Sequence, residues 1–329
     1  MTGGGTGKHF WVAALAGLLL SATPALADPA LDVVLAGDPP FRAQSLRLVD
    51  VPAPAGPAIS LFNGHDLSDW DGWLGYPDPA RTYLPVPGQA PVGADKDALA
   101  RIFSVAMADG EPAIHVDGRV WGGIVNRGDH GNYHLRLEYK WGTARYAPRQ
   151  DLPPNNGLLY HSHGAPGGVY GTWMASVEFE IMGGSVGMVV PVGSAVTAVT
   201  EVGRDPTLID PQRRYMLGGR PIIVRPPAWN VEAASDAERP VGEWNVLDLY
   251  VLGDRAIHAV NGVPVMVLHD LRAWVGDRSS SPLTHGHIQL QSEGAETWFR
   301  HITLEPITNL PRVEVSPAPI PPGNPAEGD

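Results

Sequence analysis

The sequence predicts an all-β fold, a sandwich or barrel of short strands, and three observations carry that reading. Glycine and proline are abundant, 39 and 33 of 329 residues. The strand-like segments are short and bounded by turn residues, and no sustained helical period appears beyond the N-terminal apolar run. Helix is expected to be a minor component, and no internal repeat of fixed period is seen.

The elements follow in order. Residues 1–27 resemble an export leader: Lys8 supplies the charge, Phe10 to Leu20 the apolar run, and Ala25-Leu26-Ala27 a small-residue cleavage site. A periplasmic or secreted location is therefore expected. Residues 28–58 are rich in Pro and Ala and read as a tether or an outer segment, with the domain proper at 59–307. Residues 76–97 hold five prolines and read as a long surface loop. Strands are expected at 112–117, 120–126 and 133–141. In the last, Leu135, Leu137 and Tyr139 alternate with Arg136, Glu138 and Lys140, the pattern of a half-buried strand. Residues 204–240 carry six prolines and read as an irregular excursion bordering a site. Hairpins follow around Gly253-Asp254 and Asn261-Gly262, then strands at 286–292 and 298–304. The Pro-rich tail, 308–329, is expected to be disordered.

Composition narrows function. Net charge is −12, and loss of Lys8 with the leader takes it to −13; nucleic acid and anionic membranes are disfavoured as partners. The 11-residue apolar run is too short to span a bilayer, which takes roughly 20 residues, so membrane insertion is not expected. There are no cysteines, which removes disulfides, zinc–thiolate sites and thiol redox chemistry.

The segments LLYHSH (158–163) and SVEFEIM (176–182) are the most informative. Successive side chains on a strand point to opposite faces. Leu159, His161 and His163 are thus expected on one face, and Glu178 with Glu180 on one face, while Val177, Phe179 and Ile181 enter the core. Two histidines and two carboxylates on sheet faces suggest a site; the alternative is a solvated outer face. Gln289, Gln291 and Glu293 share a parity on their strand, and Trp173 and Trp298 are candidates for stacking on a ring.

Seven segments, in order, together resemble the bacterial family named for 3-keto-disaccharide hydrolases: FNGHDLSDW (62–70), EYKWG (138–142), NNGLLYHSHG (155–164), SVEFEIMGG (176–184), GEWN (242–245), AVNG (259–262) and GHIQLQSEGAETWFRHI (286–302). The resemblance implies a concanavalin-like jelly-roll sandwich of two antiparallel sheets, with long loops. The chain departs from it at Glu180, where many members carry Gln, and at His301, where many carry Asn.

The resemblance also implies a chemistry. A keto group at sugar carbon 3 acidifies the proton on carbon 2, so a base removes it, the glycosidic oxygen leaves from carbon 1, and added water completes a net hydrolysis. A base, an enolate stabiliser and an acid are needed. His161, with an ordinary pKa of about 6.5, is the preferred base or acid. Glu178 pairs with Glu180, roughly 6–7 Å away by strand rise, close enough to raise its pKa. Lys140 and Arg300 are the candidate cations. Glu180, His163, Trp173, Gln289, Gln291 and Glu293 are candidate contacts to a small saccharide or glycoside. No cofactor is implied, although HxH plus a glutamate is also a ligand set for a divalent cation. Two rivals stand beside this: a direct two-carboxylate glycosidase, which needs a partner such as Glu293 about 5 Å from Glu178, and a lectin-like module that binds glycans without chemistry.

Overall fold

A computed structural model describes residues 36–84, 87–225, 229–276 and 279–317. The expected leader (1–27) and the end of the expected tail lie outside the described residues. The alternation seen in the sequence becomes the core. Leu135, Leu137 and Tyr139 of strand Tyr133–Arg145 are fully buried, as are Val177, Phe179 and Ile181 of strand Ala175–Met182. Each such side chain contributes about 1.5–3 kcal/mol on burial, so a one-residue slip in either strand is strongly disfavoured.

These two strands belong to different sheets. A six-stranded antiparallel sheet runs in the order Val189–Val192, Ala175–Met182, Asn155–His163, His287–Ser292, Gly122–Asn126 and Trp70–Leu74. The larger, twelve-stranded sheet centres on Asn245–Leu252, Tyr133–Arg145 and Ala295–Pro306. The fold is thus the expected all-β, two-sheet sandwich, with the main core between the inner faces. The hairpin between Arg255–Val260 and Val263–Val275 turns at Asn261-Gly262, both with positive φ (50° and 82°), the geometry a two-residue turn of matching twist requires.

Three features differ from the sequence reading. A short helix of about two turns, Lys96–Ile102, closes the proline-rich loop, its first turn capped by Asp95, which accepts from the Ala98 N–H at 2.8 Å. The 204–240 excursion holds two short strands, Arg214–Tyr215 and Arg220–Val224, that extend the large sheet beside Val196–Gly203. The tail remains ordered well past 308: Arg312–Val315 pairs with Leu46–Val49 of the N-terminal segment, because Leu46 and Val313 have apolar surface to bury against the sandwich. The Asp38 side chain, itself fully buried, ties that segment down through ion pairs with Arg213 and Arg220. Residues 36–58 are therefore an outer layer of the domain.

Candidate functional site

The site lies on the outer face of the six-stranded sheet. Glu178 is paired with Leu159, and Glu180 with Gly157; Leu159 in turn faces Gln289, and Gln291 faces Gly123. Strand pairing thus lays Glu178 and Glu180 on one side of strand Asn155–His163 and Gln291 on the other, with Glu293 just past the end of His287–Ser292. Gly157 makes the arrangement possible. A methyl group there would occupy the space of Glu178 Oε1 and Gln291 Oε1, so these two side chains meet directly above its backbone.

Loops roof this face. Together Tyr83, Tyr170, Trp173, Trp229, Val190 to Ser194, Glu178, Glu180, Gln291 and Glu293 line a half-open cavity of about 260 Å³. Its aromatic wall is packed edge to face and tilted: Tyr83 lies 5.2 Å from Tyr170 and 6.2 Å from Trp173 between ring centres, and Trp173 stacks on Trp121 at 6.1 Å. Leu159, Met182, Met188 and Val190 complete a small apolar cluster beneath it.

The carboxylates are only 4% (Glu178), 2% (Glu180) and 4% (Glu293) exposed, which removes the solvated-face alternative. Burial, together with the charges of Glu180 and Glu293, pushes Glu178 well above the usual carboxylate range, while Arg149 and the Gln291 amide oppose the shift. Burial and Glu293 raise Glu180 in the same direction, and burial raises Glu293 against the pull of Arg149. Among the described residues, Oε1 of Glu178, Glu180, Gln291 and Glu293 and the Trp173 indole N–H have no hydrogen-bond partner. Leaving such groups unpaired costs about 1–3 kcal/mol each, so water or a polar ligand is needed to satisfy them.

Of the residues expected from sequence, the structure brings together Glu178, Glu180, Trp173, Gln291 and Glu293. Gln289 is on the same face but turned aside, its amide donating to Ser162 Oγ at 2.7 Å. His161 and His163 stand apart, and the expectation that His161 shares the face of Leu159 is corrected. Strand register shifts between Tyr160 and His163, and His161 takes a φ of +52°. This bulge turns the imidazole away; it is fully buried, its ring centre 5.4 Å from that of Tyr160, with the Gly253 backbone as a neighbour. Burial, with the charges of His285 and His163 adding to it, lowers its pKa to about 3. His163 points Nδ1 at the His161 carbonyl at 2.9 Å.

Lys140 and Arg300 also fall outside the cavity, because their outward parity belongs to the other sheet. Lys140 pairs with Asp109 at 2.6 Å, Arg300 with Glu138 at 2.7 Å, and both cations lie over Trp244. Trp298 is on that remote face too, against His115. The cation near the carboxylates is Arg149, nearly buried, with Nη1 4.0 Å from Glu293 Oε1. Its loop is held there by the Tyr146 N–H donating to the Gly294 carbonyl at 2.8 Å. No strand pattern marks Arg149, Tyr83, Tyr170 or Trp229, since all four come from loops. Among the described residues, no group of three or more His, Asp or Glu side chains is arranged to hold a metal ion, and no helix is long and apolar enough to cross a membrane.

The two-sheet sandwich thus carries a half-open, carboxylate-floored, aromatic-walled cavity, and its family makes it a carbohydrate-active protein. The chain belongs to the 3-keto-alpha-glucoside-1,2-lyase-like domain family, whose model matches residues 57–305. No curated protein matches. Among solved structures, a candidate glycosyl hydrolase from Parabacteroides distasonis is 17% identical, covering 76% of this chain and 94% of its own, with a TM-score of 0.42. A galectin-like protein of unknown function from Bacillus subtilis is 10% identical over 77% and 96% of the two chains, TM-score 0.40. A carbohydrate-binding module, CBM66, also from Bacillus subtilis, is 11% identical over 62% and 91%, TM-score 0.32.

Proposed function

We propose that this protein cleaves 3-keto-glycosides by β-elimination in the cavity above Gly157, and that it does so outside the cytoplasm after loss of residues 1–27. The observation that carries the proposal is three buried carboxylates sharing one cavity with displaced pKa values, an arrangement that lets one group hold a proton while another lacks one. Glu293, beside Arg149, ionises most readily and is the base that takes the proton from carbon 2. The electrons of that C–H bond form an enolate on the 3-keto oxygen, for which the unpartnered Trp173 indole N–H is a donor. Collapse of the enolate forms the carbon 1–carbon 2 double bond and breaks the bond from carbon 1 to the glycosidic oxygen. The leaving oxygen takes a proton from Glu178, which keeps its own longest. Water added across the double bond gives the hydrolysis product.

The depth at which the carboxylates are buried in the cavity favours an enzyme over a shallow, lectin-like groove. Because Glu293 and Glu178 line one cavity, a direct two-carboxylate glycosidase is the second reading. One assay separates all three. The protein is incubated with a 3-keto-glucoside and with its unoxidised parent, and aglycone release is measured. Release from the keto compound alone is expected, with Glu178→Gln slower by about a hundredfold or more. Release from the parent alone would establish the glycosidase, and release from neither would leave only binding.

A further inference from the structure

The proposed elimination uses Glu178 and Glu293 and leaves Glu180 without a task, although it is 2% exposed, lines the cavity and has an unpartnered oxygen. A buried carboxylate kept in a cavity for no purpose is costly. Its charged neighbours are Glu178, Glu293, Glu232 and the single guanidinium of Arg149, so acids outnumber bases around it. The hydrogen-bonding inventory is equally one-sided. Four unpartnered cavity atoms are oxygens, on Glu178, Glu180, Gln291 and Glu293, the carboxyl ones pure acceptors once ionised, against one obligate donor, the Trp173 indole N–H. Gln291 makes this more than a cluster of acids, because its amide also presents its acceptor oxygen unpaired.

A group that satisfies several acceptors at once, offers none, and carries a positive charge is a primary ammonium. The walls suit it as well, since tyrosine and tryptophan faces attract cations. A bare divalent ion fits less well, because the carboxylates are not gathered around one metal-sized point. We propose that the glycoside selected by this cavity bears a protonated amino group, an amino sugar, which Glu180 receives. The inference rests on the cavity being the saccharide site. In the empty cavity the crowding of carboxylates is relieved by retained protons; the ammonium relieves it instead, so binding releases protons.

The test is calorimetric titration of the whole protein at pH 7 with glucosamine, glucose and N-acetylglucosamine, each in two buffers of different ionisation heat. Glucosamine is expected to bind about tenfold or more tighter than the two neutral sugars. The margin should shrink with added salt, and the heat should depend on the buffer because protons leave. Glu180→Gln should bring glucosamine to the level of glucose. Equal binding of all three sugars overturns the amine preference while leaving the saccharide site standing. Binding of none, in wild type, overturns the site itself. Tight uptake of calcium chloride that displaces glucosamine would assign the carboxylates to a metal and also overturn the proposal. The wild-type comparison decides the matter even if Glu180→Gln fails to fold.

Discussion

Gly157 is the residue on which the floor of the cavity turns, because its missing side chain is the space where the Glu178 and Gln291 head groups meet. Gly157→Ala should force those two apart. Overpacking of this kind costs roughly 1–3 kcal/mol of stability, and displacing a reacting group by about 1 Å costs about a hundredfold in rate. Steady-state kinetics on the keto substrate should therefore show kcat/KM falling far more than the melting temperature implies. Unchanged kcat/KM would mean that Glu178 does not act from this position. Residues of this kind were legible in part. Strict alternation placed Glu178 and Glu180 on one face and Gln291 with Glu293, and the structure joins them. Alternation misled for Lys140 and Arg300, because a sandwich has two outward faces and parity says only that a residue points out, not from which sheet. Arg149, the cation that matters electrostatically, sits in an irregular loop where no periodicity exists to find it.

Among the elements, the bulge in strand Asn155–His163 is what keeps His161 out of the site. The sequence reads as an unbroken alternation through His163, and only the pairing with neighbours reveals the extra residue, since a bulge depends on partner strands rather than on the strand's own composition. Gly286 holds the bulge from the other side. A side chain there would stand 2.5 Å from the His161 carbonyl carbon and 2.8 Å from the Ser162 oxygen, both backbone atoms that cannot swing away. Gly286→Ala is expected to destabilise the fold by about 2 kcal/mol or more, in the class of steric changes with large effects. Urea unfolding would read this directly, and a midpoint equal to wild type would show that the bulge can relax. The loops behave differently. The 76–97 and 204–240 segments were recognisable as excursions by their prolines, and each sends one aromatic, Tyr83 and Trp229, into the cavity wall. Nothing local in either loop marks which aromatic that would be.

At the scale of the whole molecule, the cavity and the core pull stability in opposite directions with pH. Unfolded glutamate ionises near 4.5, whereas Glu293 is raised to about 7 and Glu180 to about 8, burial being the largest cause in both. The folded protein holds protons that the unfolded chain has lost, so stability declines as pH rises from about 4.5 towards 8. His258, sandwiched on Phe179 and lowered to about 4 by burial, works the other way, as does His161. Below 6.5 the unfolded chain takes up protons that these buried rings refuse, so their contribution is lost as pH falls. Between pH 6.5 and 8 the histidines are silent and the carboxylates alone act. Thermal melts should then show wild type losing stability from pH 6.5 to 8, at up to about 1.4 kcal/mol per pH unit for each carboxylate that still holds its proton. Glu180→Gln should flatten that decline and be the more stable protein at pH 8; a flat wild-type profile would mean the carboxylates are ionised in the fold. At this scale the all-β class followed from Gly, Pro and short alternating runs, whereas the order seen past 308 did not, because the partner of Arg312–Val315 lies more than 250 residues earlier.

That last pairing has a practical meaning. The Ser316 N–H donates to the Ser45 carbonyl at 2.6 Å, so the last described strand is stitched to the first. The two form a ribbon of their own, so trimming either one would leave the other an unpaired edge, a template for pairing with a second chain.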